Sequence, residues 1–184
     1  MKNILKLYTD GGCAGNQNDI NLGGWGAILE FGEHKKELYG SEANTTNNRM
    51  ELTAVISALK ALNRNGLEIH VFTDSSYVAN CFREKWYVSW EKNNWKNSQK
   101  KPVENQELWE ELLALVRNHK NVTFFRVKGH VNLQGKSTNT DKLYAKFIEW
   151  NGTEFTFEDF KYITEMNNKA DELANKGINE LKAD

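Results

Sequence analysis

The chain has 184 residues, 39% hydrophobic and 27% charged, which is ample apolar material for a core of its own. No stretch approaches the roughly eighteen consecutive apolar residues of a membrane span, and Lys6 and Asp10 break the first apolar run, which sets aside a membrane protein and a secretory signal. The net charge of −1 is not that of a strongly basic nucleic-acid binder, and Cys13 and Cys81 form neither a disulfide framework nor a CxxC pair, so a reducing cytoplasm is the simplest setting.

In chain order, residues 3–9 (NILKLYT) read as a strand that stops at Asp10. The Gly-Gly-Cys-Ala-Gly that follows reads as a turn in which backbone can approach a ligand closely. Residues 24–31 and 35–41 predict two more strands joined near Gly32, giving an antiparallel meander. Thr45-Thr46-Asn47-Asn48 is capping chemistry. Beyond it Met50, Ala54, Val55, Ala58, Leu59 and Leu62 recur at helical spacing, predicting a helix to about Asn63. Residues 67–73 (LEIHVFT) predict a strand ending at Asp74, and Ser75 opens a helix. A further amphipathic helix over 105–118, a strand over 122–127 and a last helix from near Asn167 complete the pattern. A meander followed by alternating helices and strands indicates an α/β domain with a mixed sheet.

One domain over 1–184 is expected, since the chain has no repeat or low-complexity linker. Residues 132–165 stand apart. Polar NLQGKSTNTDK gives way to the aromatic-rich LYAKFIEWNGTEFTFEDFKYI, where Asn151-Gly152 between apolar runs reads as a hairpin turn. A hairpin plus a short helix decorating an edge is the expectation there. Between Arg83 and Lys101 six basic residues face only Glu84 and Glu91, interleaved with Trp86, Trp90 and Trp95, so positive charge is concentrated locally.

Asp10 and Asp74 each stand where an apolar strand stops, the place at which open α/β sheets collect ligands. Either alone could merely cap a turn. Glu51 reads by itself as a surface residue favoured by a helix dipole, and Asp171, in the first turn of the predicted last helix, reads the same way. Brought together, such acids would repel unless a cation neutralised them, and an all-oxygen set favours Mg²⁺ or Mn²⁺ over zinc. Spacing alone does not bring them together.

The words around them are more specific. YTDGGCAGN, TTNNRMEL, TDSSYV, VKGHV and NKADELAN occur in this order and resemble the motifs of type 1 ribonuclease H, as does WYVSWEKNNWK in the middle. The resemblance spans nearly the whole chain and fails across 132–165, because the family's loop between the motif histidine and the last aspartate is usually short. It implies a ribonuclease H-like fold, a mixed sheet of about five strands flanked by helices. It also implies an enzyme that cuts the RNA strand of an RNA–DNA hybrid, leaving 5′-phosphate and 3′-hydroxyl ends. Asp10, Glu51, Asp74 and Asp171 would hold two Mg²⁺ ions, with Mn²⁺ as a substitute, and His130 of VKGH would be a mobile proton shuttle. By the same resemblance Gly11, Gly12, Asn16, Thr46 and Asn47 contact the sugar–phosphate backbones, and Trp86 and Trp90 flank the DNA strand. Lys92 and Lys96 supply phosphate attraction, and Trp95 belongs to the core. Where bacterial relatives commonly carry glutamine, this chain has Ser76.

Three rival readings fit the residues less well. A hybrid-binding module without catalysis would lack one of the carboxylates, and none is missing. Another nuclease of the same fold would leave TTNNRMEL and WYVSW without a reason. A domain excised from a reverse transcriptase would carry polymerase sequence, so a freestanding monomeric enzyme without membrane contact is expected.

Overall fold

A computed structural model describes residues 3–17 and 20–183. The elements are β1 (Leu5–Gln17), β2 (Ile20–Phe31), β3 (His34–Ala43), α1 (Asn47–Lys60), β4 (Glu68–Thr73), α2 (Ser76–Arg83), α3 (Trp86–Lys92), α4 (Gln106–Val116), β5 (Asn121–Arg126), α5 (Thr140–Asn151) and α6 (Phe157–Ala183). The strands form one mixed sheet in the order β3-β2-β1-β4-β5, with β1–β2–β3 antiparallel and β4 and β5 parallel to β1. This is the expected five-stranded α/β architecture. No helix among the described residues is long and apolar enough to cross a membrane.

Strand alternation divides the apolar residues between the two faces of the sheet. Leu5, Leu7, Ile69 and Val71 point to one side, where α1, α2 and α4 cover them with Leu52, Val55, Val78, Trp109 and Leu112. Tyr8, Phe72 and Phe125 point to the other side, where they stack across three strands at centroid separations of 5.3 and 5.2 Å. Their order follows from the register Tyr8↔Phe72 and Phe72↔Phe125.

The second face corrects three expectations. Residues 132–165 form no hairpin. They supply α5 and the start of α6, so the last helix begins at Phe157, ten residues before the predicted Asn167. Asn151-Gly152 is a helix stop, with Gly152 at φ 108° and its N–H donating to the Ile148 carbonyl at 2.8 Å. A new start follows at once: Thr156 Oγ1 accepts from the Asp159 N–H at 3.0 Å, and Asp159 Oδ2 accepts from the Thr156 N–H at 2.9 Å. Nor is the segment an edge decoration. Phe147, Phe160 and Ile163 are buried against the Tyr8–Phe72–Phe125 stack, with Phe155 edge-on to Phe72 and Phe125. The Asn151 side chain also covers the free edge of β5. It accepts from the Arg126 N–H at 2.9 Å and donates to the Arg126 carbonyl at 2.8 Å, as a neighbouring strand would.

Candidate active site

β1 and β4 run in parallel register from Leu5↔Ile69 to Thr9↔Thr73, so the next residues on each, Asp10 and Asp74, fall side by side. Adjacent strands lie about 4.8 Å apart, which sets the scale of the carboxylate pair. Strand β1 does not stop there, contrary to expectation. It outruns β4 but keeps β2 as a partner, with Asp10↔Gly26, Gly11↔Trp25 and Gly12↔Gly24, so the glycine-rich stretch is strand and not turn. The close approach expected of its glycines is real, but the neighbour is α1. A β-carbon on Gly11 would lie 2.6 Å from the Glu51 nitrogen. The first turn of α1, capped by Thr46 through the Arg49 N–H at 3.1 Å, therefore sits on the β1 backbone.

That contact delivers Glu51 to the aspartates and buries it, which overturns the reading of a surface glutamate. Ligand oxygens of Asp10, Glu51 and Asp74 all lie within 4.8 Å of one another. Asp10 and Glu51 are 4% and 7% exposed, and Glu51 Oε1 has no hydrogen-bond partner. Asp171, on α6, lines the same cleft beside the three-acid cluster. It lies deep inside that helix, so it does no first-turn dipole duty.

Burial, reinforced by the Asp74 and Asp171 carboxyls, pushes the Asp10 carboxyl well above the usual carboxylate range. Glu51 is raised in the same way by burial, then by Asp74 and Asp10, while the Gly11 N–H opposes the shift. No lysine or arginine lines this cleft among the described residues. A buried, mutually repelling all-oxygen set with an orphan acceptor fits a hard divalent cation.

The cleft, about 530 Å³, is also lined by Gly11, Gly12, Asn47 and His130. Asn47 Oδ1 accepts from the Cys13 N–H at 2.7 Å. His130 is in the left-handed region at φ 57°, with a 74% exposed side chain and Nδ1 3.7 Å from Asp171 Oδ2. Its neighbour Gly129 passes so close to Asp74 that a β-carbon would lie 3.1 Å from Asp74 Cγ.

Other expected contacts are not in the cleft. The Thr46 hydroxyl is used as the α1 cap, and the Asn16 side chain lies outside the described residues. Trp86 and Trp90 sit away on α3, half-buried, in a chain of rings with Trp95 and Trp109 at centroid separations of 6.3, 5.8 and 5.5 Å. Trp95 is itself only half-buried. Lys92 and Lys96 are exposed on this projection, which Arg117 ties down through Glu91 at 2.7 and 2.9 Å. The sequence reading missed Ala174, Asn175 and Ile178, which line the cleft three, four and seven residues after Asp171. Helical spacing from Asp171 is the signal that would have found them.

Fold and site together define an α/β protein with an acid-lined cleft, suited to a cation, beside the parallel strands β1 and β4. The family model described as RNase H matches residues 2–148. Ribonuclease H of Syntrophomonas wolfei is 52% identical over 130 residues, covering 71% of this chain and 86% of that protein. Ribonuclease H of Acetivibrio thermocellus is 46% identical over 151 residues, covering 82% and 98%. Among solved structures, LC9-RNase H1, a type 1 RNase H with the type 2 active-site motif, aligns at TM-score 0.66 and 23% identity over 98% of this chain and 74% of that one. LC11-RNase H1 in complex with RNA/DNA hybrid aligns at 0.59 and 19% over 96% and 98%. The chain belongs to the ribonuclease H family.

Proposed function

We propose that this chain hydrolyses the RNA strand of RNA–DNA hybrids, with Asp10, Glu51, Asp74 and Asp171 holding two Mg²⁺ ions, for which Mn²⁺ can substitute. The observation that carries the reading is the Asp10–Glu51–Asp74 cluster, its first two members buried, with its orphan Glu51 oxygen, in a member of this family. When bound, the ions activate a water and offset charge developing on the phosphodiester, which leaves 5′-phosphate and 3′-hydroxyl ends. The protein's own part is to hold the four acids rigidly. Two are fixed by strand register, one by the α1–β1 backbone contact and one by α6.

With its Oδ1 occupied by Cys13, Asn47 keeps its amide N–H groups to donate to sugar or phosphate oxygens, beside the narrow Gly11–Gly12 backbone. The 2′-hydroxyl is the feature that tells ribose from deoxyribose at such a site. The chain acts as one domain over 1–184, with 132–165 as an insertion, and as a cytoplasmic monomer. The decisive assay is Mg²⁺-dependent cutting of labelled RNA–DNA hybrid, compared with single-stranded RNA, duplex RNA and duplex DNA. Cutting of hybrid alone, abolished by a chelator, is the expected result, and equal cutting of duplex RNA or DNA would overturn the assignment.

The proton shuttle of this reading is His130, a role supported by its exposure and its Nδ1 lying 3.7 Å from Asp171 Oδ2. His130→Ala is expected to slow turnover by about 10²-fold without abolishing it. Rates measured at several pH values check this, and a loss as complete as that of an aspartate variant would contradict it. On the projection formed by α3 and the turn after it, Lys92→Ala with Lys96→Ala is expected to raise KM about 3- to 10-fold at low salt with little change in kcat, since phosphate contacts there position the hybrid without touching the chemistry. An unchanged KM would remove this projection from the binding surface.

A further inference from the structure

A second cavity, of about 930 Å³, opens between the loop after β5 and helix α5. It meets the catalytic cleft at His130, which lines both. Its charge is one-sided. Lys128, Lys142 and Lys146 line it against a single acid, Glu149, leaving +2 with histidine neutral. Glu149 is engaged by Lys146 at 3.5 Å, whereas exposed Lys128 and Lys142 form no ion pair among the described residues. The other acids of the segment, Asp141, Glu154, Glu158, Asp159 and Glu165, do not line the cavity. A net-acidic segment has therefore turned two of its lysines, Lys142 and Lys146, toward the cavity.

The chemistry selects for phosphate and against base stacking. Of the rings lining the cavity, Phe147 and Phe160 are buried in the core, and Trp150 is already covered by the Arg126 guanidinium at 4.2 Å, with Lys146 at 5.6 Å. Lysines beside an occupied ring attract backbone charge without reading sequence. The rim of Ser137, Thr138 and Asn139 adds neutral hydrogen-bonding groups suited to the same oxygens.

We infer that this cavity extends the substrate groove and holds the sugar–phosphate backbone of the hybrid beyond the cleavage point, with Lys128, Lys142 and Lys146 as phosphate partners. This rests on the hybrid-cleaving function proposed above. The residues 132–165 thus serve twice: one face of α5 closes the second core through Phe147, and the other widens the binding surface.

The test is hybrid affinity as a function of salt, measured with a labelled RNA–DNA hybrid in the Asp10→Asn background so that the probe is not cut. Lys142→Glu with Lys146→Glu is expected to raise Kd about 5- to 20-fold near physiological salt and to make the slope of log Kd against log salt shallower by about 2. Lys142→Arg with Lys146→Arg should restore both. Lys161→Glu, a reversal in the same segment away from the cavity, should change Kd less than about 2-fold. Equal Kd and slope in the double glutamate variant and its parent would overturn the inference, as would an equal effect from Lys161→Glu. Absence of hybrid binding by the parent itself would instead sink the underlying function, and this inference with it.

Discussion

Asp10→Asn and Asp74→Asn are each expected to lower Mg²⁺-dependent cleavage by at least about 10³-fold, or about 4 kcal/mol of barrier lowering, with the fold intact. Asparagine keeps the shape and one acceptor oxygen but gives up the charge that a divalent cation requires. These two positions are the most sensitive because the β1–β4 register fixes them as neighbours, so no movement of a loop can replace either. Cleavage rates with circular dichroism spectra of the same preparations check the outcome, and turnover near that of the parent would remove the residue from the ligand set.

The same Asp10 variant should be more stable than its parent when chelator is present. Burial and the neighbouring acids raise the folded-state value of Asp10 above its ordinary 3.8. A group raised in this way favours folding fully below its unfolded value, and that contribution is lost as pH rises toward the folded one. Asparagine has no such loss. The gain in melting temperature should therefore be larger near pH 8 than near pH 5, and an equal gain at both would contradict the electrostatic origin.

Asp10 and Asp74 were legible because each sits at the end of an apolar run, and strand alternation plus parallel pairing carries that linear fact into space. Glu51 was legible only through the motif around it, since its burial depends on the absence of a β-carbon at Gly11, a contact that no local pattern of α1 displays. The glycines after Asp10 read as a turn because glycine permits one. What decides otherwise is β2, whose pairing with β1 continues past Asp10 through Gly26, Trp25 and Gly24. Asn151-Gly152 misled for a related reason. Glycine at positive φ ends a helix as readily as it closes a hairpin, and the choice was made by Phe147 packing on the sheet. Two signals were present but unread: Thr156-x-x-Asp159 as a capping box, and Phe160, Ile163, Met166 and Ala170 at helical spacing from it. Read together, they place Asp171 in mid-helix and bring Ala174, Asn175 and Ile178 onto its face.

Truncating the core contact of the 132–165 segment gives the second large effect. Phe147 is 2% exposed and lies 5.2 Å from the Phe155 ring and 5.5 Å from the Phe160 ring, in the layer that covers Tyr8, Phe72 and Phe125. Phe147→Ala is expected to cost about 3–5 kcal/mol of folding stability, because it removes a buried ring and leaves a space the surrounding helices cannot fully close. Glu149→Ala, exposed on the same helix, should stay within about 0.5 kcal/mol. Urea denaturation of both variants decides the matter. The contrast also follows from topology. α5 is bound to β5 through Asn151 and leads by five residues into α6, so loosening Phe147 loosens the helix that carries Asp171 into the cleft. A Phe147→Ala cost below about 1 kcal/mol would return the segment to the status of a peripheral addition and leave α6 to hold Asp171 unaided.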